Sequence, residues 1–150
     1  TNTDTIDTWV PAAQISLYKY ELKSNENSFT TAVQTSRDNG TTFFEQTLAI
    51  SLKKQDQAMH KNIKLLAYGR PRIIVRTMTD QFFLMGLAQG CDTTAGEISS
   101  GAALGDFNGY KLTFVASEVL PANFVDVSTE AALKTAFADG SGADAQIVTA

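Results

Sequence analysis

The chain has 150 residues, of which 43% are hydrophobic and 19% charged, which suffices for a core without disulfides or metals and points to one domain over residues 1–150. Its net charge of −4 argues against general nucleic-acid binding, and no apolar run reaches the roughly 20 residues of a membrane-spanning helix. The single cysteine, Cys91, excludes an internal disulfide framework and fits a reducing compartment.

Thr1–Thr8 is polar and reads as a mobile arm. No basic and apolar leader pattern follows it, so no signal peptide remains, and removal of an initiator Met would explain Thr1 equally well. Gln14–Leu22 carries Ile15, Leu17, Tyr18 and Tyr20 and suits a strand. Phe29–Thr35 is rich in Thr, a β former. Arg37-Asp38-Asn39-Gly40 then reads as a hairpin turn. Thr41–Leu52 shows the clearest alternation. Phe44, Gln46, Leu48, Ile50 and Leu52 share one face, with Gln46 interrupting an apolar row.

A helix is predicted over Asp56–Tyr68. Asp56 is its N-cap, Gly69 stands at the position of a C′ glycine, and Pro71 forbids continuation. Met59, Ile63 and Leu66 are expected to pack, with His60, Lys61 and Lys64 facing outward. Arg72–Met78 and Gln81–Ala88 form a hairpin closed near Thr79-Asp80. Its second arm is apolar on both faces, as a central strand or a partner-covered one is. Cys91–Gly109, rich in Gly, Ser, Thr and Ala, is expected to be an extended mobile loop with at most a short strand. Tyr110–Val119 alternates as a strand. Ser128–Ala138 forms a second helix, capped by Ser128, with Leu133 and Phe137 as its apolar stripe. Ser141–Ala150 is a polar tail in which Ile147 and Val148 can dock.

Catalytic chemistry finds little support. His60 is the only histidine and reads as a surface residue, since a zinc site or a nucleophile–base pair needs partners this chain lacks. Cys91 reads as a small packing residue rather than a reactive thiol. The run Gly101–Asp106 has two glycines four apart but no Gly-Lys-Ser/Thr ending, and it precedes a strand where a phosphate loop opens a helix. No calcium-loop spacing occurs. Paired-carboxylate hydrolysis is not favoured by any feature. The expectation is a non-enzyme without cofactor or metal.

Charge is unevenly placed. Lys53, Lys54, Lys61, Lys64, Arg70, Arg72 and Arg76 are seven of the twelve basic residues, and they share their window with one acid, Asp56. This is either a solvated helix face with a hairpin edge or one half of a dipolar subunit whose basic face meets a neighbour's acidic face. A phosphate-backbone surface fits less well, because the rest of the chain is acidic.

From Phe44 to Val125 the order is strand, helix, Gly, hairpin, long Gly/Thr segment and strand. Phe44-Glu45-Gln46-Thr47-Leu48, Leu65-Leu66-Ala67-Tyr68-Gly69-Arg70, Phe83-Leu84-Met85-Gly86-Leu87, Gly105-Asp106-Phe107-Asn108-Gly109-Tyr110-Lys111-Leu112-Thr113-Phe114 and Glu118 resemble small virion structural proteins. These are encoded in the tail and neck regions of tailed bacteriophages, especially those of Bacteroidetes hosts. The resemblance spans a little over half the chain, and its motifs are structural. It implies a mainly β (α+β) fold, a sandwich or barrel flanked by one central helix, with a second short C-terminal helix, tail-tube-like in architecture. It implies a tail or neck structural subunit around the DNA passage, forming rings with itself, six-fold or a multiple, and with other virion proteins. It further implies assembly in the host cytoplasm, no membrane, and no specific nucleic acid.

The polar arm, the long small-residue segment and the doubly apolar strand agree with an assembling subunit. The expected interface residues are Arg70, Arg72, Arg76, Ile98, Leu104 and Phe107. The alternative is a non-catalytic β-sandwich module binding glycan or protein on a fibre or cell surface, for which Trp9 is the only tryptophan.

Overall fold

The computed structural model describes residues 5–6, 11, 13–53, 55–103 and 105–149. Trp9, Lys54, Leu104 and most of the expected N-terminal arm lie outside the described residues. Among the described residues the chain is mainly β, with two helices and open sheets rather than a closed barrel. Its contacts gather into two compact units. Unit 1 comprises residues 1–20, 74–84 and 123–150, and unit 2 comprises residues 21–73 and 85–122.

Unit 2 is built on an antiparallel sheet in the order β3 (Ser28–Ser36), β4 (Thr41–Lys53), β8 (Gly109–Glu118), β7 (Asp92–Ser99). The turn at residues 37–40 places Gly40 at φ +63 and sets the register Ser36↔Thr41 through Ser28↔Ala49. The alternation of β4 has its expected result. Gln46, Leu48, Ile50 and Leu52 are buried, and opposite them on β8 so are Ala116, Phe114, Leu112 and Tyr110. Helix α1 (Gln57–Tyr68) lies against β7. Ile63 is its buried residue, while Met59 and Leu66 are half-buried and His60, Lys61 and Lys64 are exposed.

Asp56 caps α1, its carboxylate accepting the Gln57 N–H at 2.8 Å. Gly69 ends the helix differently from the expectation. It is extended (φ −89, ψ 173) and its N–H donates to the Leu65 carbonyl, so it does not use the left-handed conformation open to glycine. The segment expected to be a mobile loop is largely strand: β7 occupies eight of its residues and pairs with β8 from Asp92↔Val115 to Ser99↔Gly109, with an irregularity between Thr93 and Ala95. Thr and Ala carry no period-2 signal there because both faces of this edge strand are largely exposed.

Unit 1 holds the sheet β1 (Thr5–Ile6), β9 (Asn123–Val125), β6 (Phe82–Met85), β5 (Ile73–Arg76). Ile73 and Met85, at the ends of β5 and β6, belong to unit 2. β6 is an interior strand, which accounts for its apolar character on both faces. The hairpin turn between β5 and β6 puts Asp80 at φ +59, with the Thr77 N–H donating to the Gln81 carbonyl at 2.9 Å. A second ladder pairs β2 (Ser16–Lys19) with β10 (Gln146–Thr149) in parallel. The tail thus docks as a strand, with Ile147 opposite Leu17 and Val148 opposite Tyr18. Helix α2 (Glu130–Ala136) buries Leu133 and Ala136, and Phe137 follows buried at its C-cap. Its N-cap is Thr129, whose hydroxyl accepts the Ala132 N–H at 3.1 Å; the expected cap, Ser128, lies one residue before it.

Candidate assembly surface

The sheet of unit 2 ends in two long strands, β3 and β7, and among the described residues no strand pairs with the outer side of either. Nine residues long, β3 contains no charge, proline or glycine, and seven of the nine are exposed. Val33 in its middle is 60% exposed. Edge strands in monomers are commonly blunted by lysine, proline or a bulge, and β3 carries none of these. β7 is better defended. It bears Asp92 and Glu97, and its ladder is irregular at Thr93–Ala95.

The expected interface residues divide by unit and by engagement. Arg70 pairs with Asp92 at 3.0 Å, and the Arg72 Nε donates to the Leu87 carbonyl at 2.9 Å; both lie in unit 2. In unit 1, Arg76 donates to the Asp80 carboxylate through Nε (3.0 Å) and Nη2 (2.7 Å), with its guanidinium 5.7 Å from the Phe82 ring. Each arginine therefore has an internal partner. Ile98 is on β7, 55% exposed, opposite Tyr110. Phe107 is half-buried with the Lys111 Nζ 5.1 Å from its ring. The basic window is also divided between the units, with Arg76 alone in unit 1. Unit 2 contains nine basic and nine acidic residues, whereas unit 1 contains three basic and seven acidic ones and so carries the whole net charge of −4.

Two amides of the Gly101–Asp106 run are taken up within it. The Asp106 carboxylate accepts the N–H groups of Ala102 and Ala103, each at 2.8 Å. Those two bonds hold its carboxyl below the usual aspartate range, so an internal anion fills the place a phosphate would take. Cys91 is fully buried. Burial first, and the nearby Glu118 charge second, push its thiol up to about 12, the behaviour of a packing residue. His60 is exposed, with Nδ1 3.4 Å from the hydroxyl of buried Tyr110. Among the described residues no group of three His, Cys, Asp or Glu side chains is placed to hold a metal, and no helix is long and apolar enough to cross a membrane.

Two buried polar side chains organise the end of the β4–β8 ladder. Gln46 accepts the Gly86 N–H at 3.2 Å and donates to the Leu120 carbonyl at 3.3 Å. Glu118 accepts the N–H groups of Ala88 and Gln89 at 3.0 and 2.9 Å. These contacts explain why a glutamine interrupts the apolar row. It fastens the turn that leads into β7, which leaves the edge strand held at its start.

A second exposed surface was not foreseen from the sequence. The outer face of α1 presents Lys61, Lys64, Leu65 and Tyr68, with Leu65 65% and Tyr68 85% exposed. The signal was present: Leu65 and Tyr68 fall on the helix face opposite Ile63 and share it with two lysines. No protein family, curated protein or solved structure matches the chain.

Proposed function

We propose that the chain is a structural subunit of a phage tail or neck, tail-tube-like, assembling with copies of itself into a ring or tube. The observation that supports this reading is the pair of edge strands on one sheet whose outer sides no other described strand pairs with. Because β3, β4, β8 and β7 are successively antiparallel, an even number of strands leaves β3 and β7 running in opposite directions. A neighbour related by rotation about a ring axis then offers its β3 to this β7 in antiparallel sense. Each junction continues the ladder, and ring closure removes both edges of that sheet.

The reading is tested with the purified chain by mass photometry and electron microscopy. Rings of uniform mass are expected. Val33→Lys adds a charge to the exposed β3 edge and is expected to leave a folded monomer. A parent chain that stays monomeric at high concentration overturns the reading. A V33K variant that assembles like the parent removes β3 from it.

A further inference from the structure

The outer stripe of α1 is an exposed surface of mixed apolar and basic character on unit 2. Residues 61, 64, 65 and 68 are three, four and seven apart, so they form one continuous strip. The helix contains no acidic residue, and neither Lys61 nor Lys64 has an ion-pair partner among the described residues. An exposed tyrosine beside a leucine, flanked by cations, has the make-up of a docking anchor.

Unit 1 offers a matching surface. A cleft of about 420 Å³ is lined by Phe82, Phe124, Val125 and Val127 as apolar walls, with Asp80, Gln81, Asp126, Ser128 and Ala132 completing it. Asp80 is already held by Arg76. Asp126 is exposed and has no ion-pair partner among the described residues, so it is the carboxylate left for an incoming cation. Phe124, 44% exposed and tilted against Phe83 at 4.5 Å, supplies an aromatic wall. The unit as a whole is the acidic one.

We propose that the α1 stripe of one copy docks in the unit 1 cleft of a second copy, with Tyr68 and Leu65 against Phe124 and Val127 and a lysine of the stripe on Asp126. The two halves of the contact lie on different surfaces of identical chains, so the contact is heterologous and passes from copy to copy. It rests on the ring-subunit reading and adds to it a second contact, separate from the strand edges.

The test uses the full chain. Lys64→Glu and Asp126→Lys are each expected to raise the concentration at half-assembly by about tenfold or more. The double variant, with both charges exchanged, is expected to recover most of that loss. Cross-linking fixes the occupant: Lys61→Cys chains, which keep Lys64, Leu65 and Tyr68, mixed with size-tagged Ser128→Cys chains are expected to give a mixed-size product with a short bismaleimide. Rings that form normally in both charge variants, or a double variant no better than either single, overturn the inference while the edge-strand reading stands. Cross-linking of the K61C/S128C chain to itself at limiting dilution also overturns it, because the occupant is then the same chain. A parent chain that never assembles overturns both.

Discussion

At the scale of single residues, the clearest constraint is Gly109, the first residue of β8. A Cβ there collides with the Leu52 carbonyl oxygen and comes within 3.1 Å of the Lys53 Cα. Backbone cannot move aside as a side-chain tip does, so the ladder end must shift. Gly109→Ala is expected to lower stability by roughly 2 kcal/mol or more. Gly105→Ala, where a Cβ meets nothing within 4 Å, is expected to stay within about 0.5 kcal/mol of the parent. Urea unfolding of the two variants checks the contrast. Cys91 gives a second residue-scale prediction. Its thiol is pushed up to about 12 in the folded chain, from an ordinary value of 9.0. Below pH 9 neither state is ionised and the thiol adds no pH dependence. Between pH 9 and 12 the unfolded chain loses the proton and the folded chain keeps it, so stability falls as pH rises. Thiol labelling at pH 8 is accordingly expected to follow global unfolding, rising with denaturant along the unfolding transition.

At the scale of elements, the caps of the two helices separate what patterning can and cannot resolve. Asp56 and Thr129 both accept backbone N–H groups. Thr129→Ala is expected to cost about 1 kcal/mol, and Ser128→Ala much less. Thermal unfolding of the pair decides which residue is the cap. The sequence placed α2 correctly but missed its cap by one position, since Ser and Thr are both good caps and only the bond to Ala132 distinguishes them. The alternation in β4 and β8 was legible because one face is buried, which makes the period visible. β7 was not, because an edge strand exposed on both faces has no face to alternate. Its hydrogen bonds to β8 hold it, and they leave no mark on composition. The same holds for the candidate surface. Ile98 was singled out for its size in a segment read as a loop, and it stands instead on a sheet edge. The internal partners of Arg70 and Arg72 are distant in sequence and could not be read from spacing, whereas Arg76 and Asp80 are four residues apart across a turn. Amide hydrogen exchange tests the revised view of β7. Slow exchange is expected for β7 amides bonded to β8 even in the monomer, with fast exchange confined to its outward amides and to the neighbouring loop residues.

At the scale of the whole molecule, neither unit is continuous in sequence. The chain passes between them four times. Cutting it at one boundary therefore cannot yield an intact unit, and loss of a short terminal piece acts at a distance in sequence. Deleting residues 146–149 removes the strand that pairs with β2. A lone strand has no ladder to belong to, so amides of residues 16–19 are expected to exchange fast in the deletion variant. The sheet of unit 2, which contains no residue beyond 118, is expected to keep its protection.

The parallel pairing of β2 with β10 also sets an order of events on the ribosome. Gln146 lies opposite Ser16 and Thr149 opposite Lys19, so β2 is synthesised long before the strand it needs. At about 5–20 residues per second, the wait is roughly ten seconds. The four strands of unit 2 have all been synthesised before that wait ends. A newborn chain thus contains all four strands of that sheet while the earlier-made β2 still lacks its ladder partner. The β2–β10 ladder therefore cannot close until residues 146–149 have been added, however early β2 itself is made.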